Sequence, residues 1–263
     1  MTARILHLSD LHVGAHEDDA VERALVTLVE RVQPELLIAS GDLTHRGRRA
    51  QHERAHALLT GLGVPVLAVP GNHDIPLSPR RFTSPWAEFE RLWETTEPEQ
   101  GTNGFHVVGL NSVRPFRHQG GALSRAQLAS VPGRFAHGPA DAWRIVVLHH
   151  HLLGAPWRAA RKRPVSHRNR VLRSLVESGA DLILSGHIHQ SAVSSRREFA
   201  VVGEQERTAV VAIAPGLGQP RPHRLGEARG LHVHELADDG LTIETYTWRG
   251  ADWALAARRW YPR

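Results

Sequence analysis

Apolar and polar residues follow two rhythms in the N-terminal part of the chain. A short β-type run over residues 4–9 is followed by Val21, Ala24, Leu25, Leu28, Val29 and Val32, which recur at i, i+3, i+4, i+7, i+8 and i+11 and so line one face of a helix. Asp18 and Asp19 stand where an N-cap and a first-turn anion belong, and Pro34 stops the helix just beyond its last apolar position. The continuous apolar run 36–39 predicts a parallel strand buried on both faces, and it ends in Ser40, Gly41 and Asp42. A second helix is predicted over 48–62, with Ala55, Leu58, Leu59 and Leu62 turned inward, and a third strand over 64–69. Strands alternating with helices in this way are the βαβαβ signature of a parallel sheet.

Downstream the rhythm is less regular. Trp86, Phe89, Leu92 and Trp93 predict an amphipathic helix, and 94–104 reads as a loop. Strands are predicted over 105–110, 144–148, 181–184 and 208–213, with a helix over 169–176. Strands over 231–236 and 241–247 flank Ala237, Asp238, Asp239 and Gly240 and read as an antiparallel hairpin. Trp248, Trp253, Trp260 and Tyr261 are expected to pack on the body of the protein, with an oligomer contact as the alternative. No internal repeat is evident, so a single domain spanning 1–263 is expected.

Composition narrows the chemistry. With 41% hydrophobic residues the chain can bury a substantial core. It has no cysteine, which excludes disulfides and thiolate metal sites and leaves nitrogen and oxygen as the ligands for any metal. No apolar window approaches the roughly 18 residues of a membrane span, and the first apolar run is too short for a signal segment. A soluble, cytoplasmic protein without a membrane partner is expected. The net charge of +5 favours anionic partners. A small phosphate ester is preferred over nucleic acid, because no nucleic-acid recognition motif accompanies the charge. One local basic run, with Arg158, Arg161, Lys162, Arg163, Arg168 and Arg170, reads first as a solvated loop and second as a phosphate clamp.

The polar residues at the strand ends carry more information. Asp10 and His12, Asp42, Asn72 and His73, His149 with His150 and His151, then His187 and His189 each follow an apolar run, and all are expected at the C-terminal edge of a sheet, where α/β proteins place their ligands. Singly, Asp42 could be an N-cap and Asn72 a turn residue. His7 and His106 fall inside predicted strands and are left as core or surface residues. Together the strand-end groups form a donor set of carboxylate, amide and imidazole that suits Mn, Fe, Zn or Co ions. Seven such groups exceed the three or four protein ligands of one zinc site. Two ions sharing a bridging carboxylate account for the number, and such a pair clamps a phosphoryl group and activates water.

Asp10-Leu11-His12, Gly41-Asp42, Gly71-Asn72-His73-Asp74, the His149 region and Gly186-His187-Ile188-His189 resemble, as a set, the calcineurin-like metallophosphoesterase superfamily. The phrasing Leu8-Ser9-Asp10-Leu11-His12 and Ser40-Gly41-Asp42-Leu43-Thr44 is most similar to the bacterial class III cyclic-nucleotide phosphodiesterases. Where relatives of that type continue the fourth motif with two prolines, this chain has His149-His150-His151-Leu152-Leu153. The resemblance implies an α/β fold, a four-layer α/β/β/α sandwich with two mixed sheets. It implies two divalent or trivalent ions, one held by Asp10, His12 and His189, the other by Asn72, His149 and His187, with Asp42 as the bridge. His73 becomes the catalytic imidazole outside the coordination sphere, oriented by Asp74, and His150 and Arg158 are the candidate substrate contacts.

The expected reaction is metal-dependent hydrolysis of a phosphate ester, with a small phosphodiester such as a cyclic nucleotide as the preferred substrate. The alternatives are a phosphomonoesterase, a nucleotide pyrophosphatase, and a non-catalytic basic protein that binds nucleic acid. A scaffold that keeps its metals and lacks turnover is disfavoured by the presence of His73. A homodimer is compatible with these expectations.

Overall fold

A computed structural model describes residues 2–15, 18–117, 119–153, 162–195, 208–218 and 229–263. Their first elements follow the apolar rhythm closely: β1 (Ala3–Leu8), α1 (Asp19–Val32), β2 (Leu36–Ala39), α2 (Arg49–Thr60) and β3 (Val66–Ala68). Helix α1 begins where the Asp18 carboxylate accepts the Ala20 N–H at 3.1 Å and buries the whole predicted stripe from Val21 to Val32. It ends on Gln33 in the left-handed conformation, one residue before the proline. Full burial of Leu25 and Leu28 stabilises this layer by about 1.5–3 kcal/mol each. In α2 the inward face is His52, Ala55 and Leu59, while Leu58 and Leu62 are only partly buried.

The chain continues through α3 (Arg80–Thr83), α4 (Ala87–Trp93), β4 (Glu99–Gly101), β5 (Phe105–Gly109), α5 (Arg125–Phe135), β6 (Trp143–Val147), α6 (Arg168–Glu177), β7 (Leu182–Ser185), β8 (Ala192–Ser195), β9 (Val210–Ile213), β10 (Gly230–Leu236), β11 (Gly240–Trp248) and β12 (Trp253–Pro262). One six-stranded sheet has the order β12-β11-β10-β1-β2-β3 and the other β4-β5-β6-β7-β9-β8. Both are mixed. β1, β2 and β3 run parallel beside the antiparallel β10, β11 and β12, and β5, β6, β7 and β9 run parallel between the antiparallel edges β4 and β8.

Three apolar clusters define the layers. Ile5, Ile38 and Leu67 of the first sheet meet Phe105, Ile145 and Leu184 of the second. On the outer face of the first sheet, Leu6, Leu8 and Leu37 pack with the buried stripes of α1 and α2. On the outer face of the second, Val108, Val146 and Ile183 pack with Val131 of α5 and Leu175 of α6. The expected α/β/β/α sandwich with two mixed sheets is therefore observed. No helix among the described residues is long and apolar enough to cross a membrane.

Five elements were absent from the expectation, the one-turn helix α3 among them. Edge strands β4 and β8 are short and lack a clear apolar run. Strand β12 carries Arg258, Arg259 and an exposed Trp260, so its pairing to β11 is set by neighbours rather than by its own alternation. Helix α5 contains Pro132, which would ordinarily be read as a breaker. Its start was legible: Ser124 accepts the Gln127 N–H at 3.1 Å while the Gln127 side chain takes the Ser124 N–H at 2.8 Å, a capping box.

Candidate metal centre

The polar strand ends do converge, but not on one sheet. Asp10 and His12 follow β1, Asp42 follows β2 and Asn72 and His73 follow β3 in the first sheet, whereas His149 follows β6 and His187 and His189 follow β7 in the second. The single sheet edge expected from sequence is thus a seam between two sheets. Backbone hydrogen bonds hold the strand ends within each sheet, Asp10 N–H to the Gly41 carbonyl (2.9 Å) in the first and Gly186 N–H to His149 (3.0 Å) in the second, and others cross the seam, Leu217 N–H to the Ser9 carbonyl (2.9 Å) and Gly218 N–H to Asp10 (2.9 Å). At the crossing point Gly186 lies so near the first sheet that a Cβ there would sit 1.7 Å from Ser9 Oγ.

The backbone is strained where it delivers these groups. Of the non-glycine residues with positive φ, Asp10, His12, Asp42, His187 and His189 all belong to the constellation, at φ between 51° and 73°. The left-handed region costs most residues of order 1–3 kcal/mol, and it persists where surrounding structure over-determines it. Here the over-determination is visible. The Asp10 carboxylate accepts the Ser9 hydroxyl at 2.7 Å and the His187 N–H at 2.8 Å, and Asp42 Oδ1 accepts the His73 N–H at 2.8 Å.

Two groups of ligand atoms result. In one, His189 Nε2 is 3.0 Å from Asp10 Oδ1 and 3.1 Å from His12 Nε2, and His12 Nε2 is 3.7 Å from Asp42 Oδ2. In the other, His149 Nε2 lies 3.4 Å from Asp42 Oδ1, 3.2 Å from Asn72 Oδ1 and 3.2 Å from His187 Nδ1. Asp42 is common to both. The His149 ring is aimed by its Nδ1–H, which donates to the Ser40 carbonyl at 2.8 Å and turns Nε2 into the group.

The electrostatics favour a cation at this position. All of these side chains except Asn72, at 4%, are 2% exposed or less, and Asp42 Oδ2 has no hydrogen-bond partner among the described residues. Burial would raise the Asp42 carboxyl, yet the His149 and His73 imidazoles hold it well below the usual carboxylate range. Burial would lower His149, but the Asp42 carboxylate outweighs it and raises the imidazole to about 9. Burial keeps His12 and His187 neutral, with lone pairs available. An orphaned buried carboxylate oxygen and facing imidazole nitrogens form a donor set of oxygen and nitrogen that fits two divalent ions.

The remaining candidates fall differently. The His73 ring stands half-buried at the rim, 4.8 Å from the His12 ring, and its Nδ1–H donates to the His45 carbonyl at 2.7 Å. Asp74 was expected to orient it and does not. Its carboxylate instead accepts the N–H groups of Gly71 (2.8 Å), Leu43 (3.1 Å) and Thr44 (2.8 Å), so it locks the Asp42 and Asn72 loops to each other. His150, expected to touch substrate, is only 1% exposed; its Nδ1 lies 2.9 Å from Ser112 Oγ and its ring 4.6 Å from that of His187, a place behind the ligand groups. Arg158 lies outside the described residues. Sequence reasoning missed Ser9, Ser40 and His45, because each acts through a hydroxyl or a carbonyl that no motif spacing reports.

Two mixed sheets that bring imidazoles and carboxylates to one seam define a metal-dependent phosphoesterase. The chain belongs to the calcineurin-like phosphoesterase family, whose sequence model matches residues 3–191. It is similar to the 3',5'-cyclic adenosine monophosphate phosphodiesterase of Pseudomonas aeruginosa, at 29% identity over 252 residues covering 90% of this chain and 86% of the relative. A probable cyclic nucleotide phosphodiesterase from a Synechococcus strain is 28% identical over 214 residues, covering 74% of this chain and 77% of the relative. Among solved structures, a purple acid phosphatase from yellow lupin superposes with a TM-score of 0.74 at 11% identity, covering all of this chain and 54% of that one. A dimetal phosphatase from Danio rerio superposes at 0.65 and 15% identity, covering 96% and 98%. At these identities the two structures share the fold.

Proposed function

We propose that the protein hydrolyses a small phosphodiester of the cyclic-nucleotide class. The observation that carries the reading is Asp42, one carboxylate common to two groups of ligand atoms, in a chain whose relatives are named as cyclic-nucleotide phosphodiesterases. Asp10, His12 and His189 would hold one ion, Asn72, His149 and His187 the other, and Asp42 would bridge them. Manganese, iron, zinc and cobalt all suit these oxygen and nitrogen donors. When bound, such a pair supplies Lewis-acid activation of a phosphoryl group and of water.

The chain's own residues do the rest. The Asp10 and Asp42 carboxylates, kept ionised inside the protein, concentrate negative charge where cations and then an anionic ester must meet. The His73 Nδ1–H is held by the His45 carbonyl, which leaves Nε2 as the nitrogen able to carry a proton to the leaving alkoxide. Asp74 fixes the loop that presents His73 and Asn72. The cytoplasm, where nucleotides are turned over, is the compartment assigned.

The test is a hydrolysis panel with metal-reconstituted protein: 3',5'-cyclic nucleotides, glycerophosphodiesters, nucleotide pyrophosphates, nucleic acids and monoesters. Cyclic nucleotides should be cleaved with the highest kcat/KM. A preference for monoesters, or no cleavage with any of the four metals, would overturn the assignment.

A further inference from the structure

A second concentration of imidazoles lies apart from the seam. His7 of β1 sits opposite His232 of β10 in the antiparallel register, and His234 sits opposite Ile5. Alternation along these strands sends Leu6, Leu8 and Val233 to the helix side and Ile5 and Leu236 to the interior between the sheets, so the three histidines point into that interior. All three are completely buried. Ring centroids are 5.6 to 6.1 Å apart, and one nitrogen from each ring lies within 4.8 Å of the other two.

The hydrogen bonds are asymmetric in an informative way. His7 Nε2 meets the Ser40 hydroxyl at 2.9 Å and His232 Nε2 meets the Ser191 hydroxyl at 2.8 Å. The opposite nitrogens, His7 Nδ1 and His232 Nδ1, have no partner among the described residues, and neither does His234 Nδ1 or Nε2. A metal-ligating histidine donates its second ring N–H to a fixed acceptor, and the Ser40 and Ser191 hydroxyls fill that part for His7 and His232 while leaving each Nδ1 as the ligand atom. Burial keeps all three rings neutral and their lone pairs available, and the Asp10 carboxylate supplies negative charge close to His7.

We propose that His7, His232 and His234 bind one Zn²⁺ between the two sheets, at a site separate from the Asp42-centred groups. Three imidazoles with solvent in the fourth position are an established zinc donor set, and bonds of about 2.0–2.1 Å place tetrahedral ligand nitrogens roughly 3.3 Å apart, a spacing inside the 4.8 Å that bounds these three nitrogens. The ion would brace the seam from below. Ser40 accepts or donates at His7 through its hydroxyl and receives His149 Nδ1–H through its carbonyl, and Ser191 follows the His187–His189 turn and holds His232.

The test counts zinc per chain in untagged full-length protein after loading and desalting. Wild type should retain one equivalent more than His234→Leu, and that variant should still hydrolyse bis(p-nitrophenyl) phosphate. A double variant, Asp42→Asn with His187→Ala, should keep one zinc whose X-ray absorption shell contains three imidazoles. The difference between wild type and His234→Leu reads this site alone, so it stands even if no phosphodiester is cleaved. Should His234→Leu fail to fold, His234→Gln and the absorption spectrum of the double variant decide the same point. Equal zinc in wild type and the His234 variant, or no zinc in the double variant, would mean hydrated imidazoles and overturn the proposal.

Discussion

Replacing Gly71 with alanine is the sharpest probe of how the Asp42 bridge is positioned. A Cβ at Gly71 would lie 2.1 Å from the Asp42 backbone nitrogen, 2.3 Å from Asp42 Oδ1 and 2.9 Å from Asp42 Cα. To reach ordinary contact at 3.4 Å, the two loops must separate by about 1.3 Å. Neither loop can give easily. Asp42 is already at φ 53°, its Oδ1 holds the His73 N–H, and Asp74 ties Gly71 to Leu43 and Thr44. Overpacking of this kind costs about 1–3 kcal/mol of stability, and a misplacement near 1 Å in a reacting site can cost about 10²-fold in rate. Gly133→Ala is the control. Nothing lies within 4 Å of its Cβ, and as a residue of α5 it should gain up to about 1 kcal/mol of helix stability with no change in turnover. The assays are urea unfolding, metal content and hydrolysis of bis(p-nitrophenyl) phosphate. A Gly71→Ala protein with both metals and kcat/KM within about threefold of wild type, under about 0.7 kcal/mol, would refute the steric argument.

His73→Ala should retain both metals and lose about 10²- to 10⁴-fold in kcat; unchanged kcat would remove His73 from the chemistry. Asp42→Ala should lose metal from both groups, and two full equivalents by elemental analysis would contradict the bridging role. Chelation should abolish hydrolysis and lower the unfolding free energy, by about 2.7 kcal/mol for an ion present at 100 times its Kd, with both restored on adding metal back. At the β4 edge, burial opposes ionisation of Glu99, but the Arg134 guanidinium at 2.9 Å and the His137 and His106 imidazoles outweigh it and hold the carboxyl below its usual value. Its contribution should therefore be full above the unfolded pKa of about 4.3 and fade as pH falls through the lower folded value. The stability gap between wild type and Glu99→Gln should narrow below about pH 4, and a gap constant from neutral to acid pH would rule this out.

The four-layer fold and the candidate donors that meet at the seam were legible because both rest on local signals. A parallel strand buried on both faces must be a continuous apolar run, and α1 must show its inward stripe at helical spacing, so residues 19–39 announced their own structure. The constellation announced itself because each ligand follows such a run directly. Strands β4, β8 and β12 were illegible because an edge strand takes its conformation from a neighbour's hydrogen bonds and needs no apolar alternation.

Sequence alone named the candidates: seven oxygen and nitrogen donors and one further imidazole, each at a strand end. Only the tertiary structure decided how they are arranged. It assigned the strand ends to two sheets, made Asp42 the carboxylate common to both groups, turned Asp74 from His73 to the backbone of the neighbouring loop, and gave the His45 carbonyl the task of holding His73. It also brought His7 to His232 and His234, residues more than two hundred positions apart. The physical reason is common to all of these. Spacing along the chain reports what one strand or helix presents, whereas distances between strand ends are set by how the two sheets pack, where close approach at Gly71 and Gly186 and left-handed backbone at five of the candidate ligands are enforced from outside each segment.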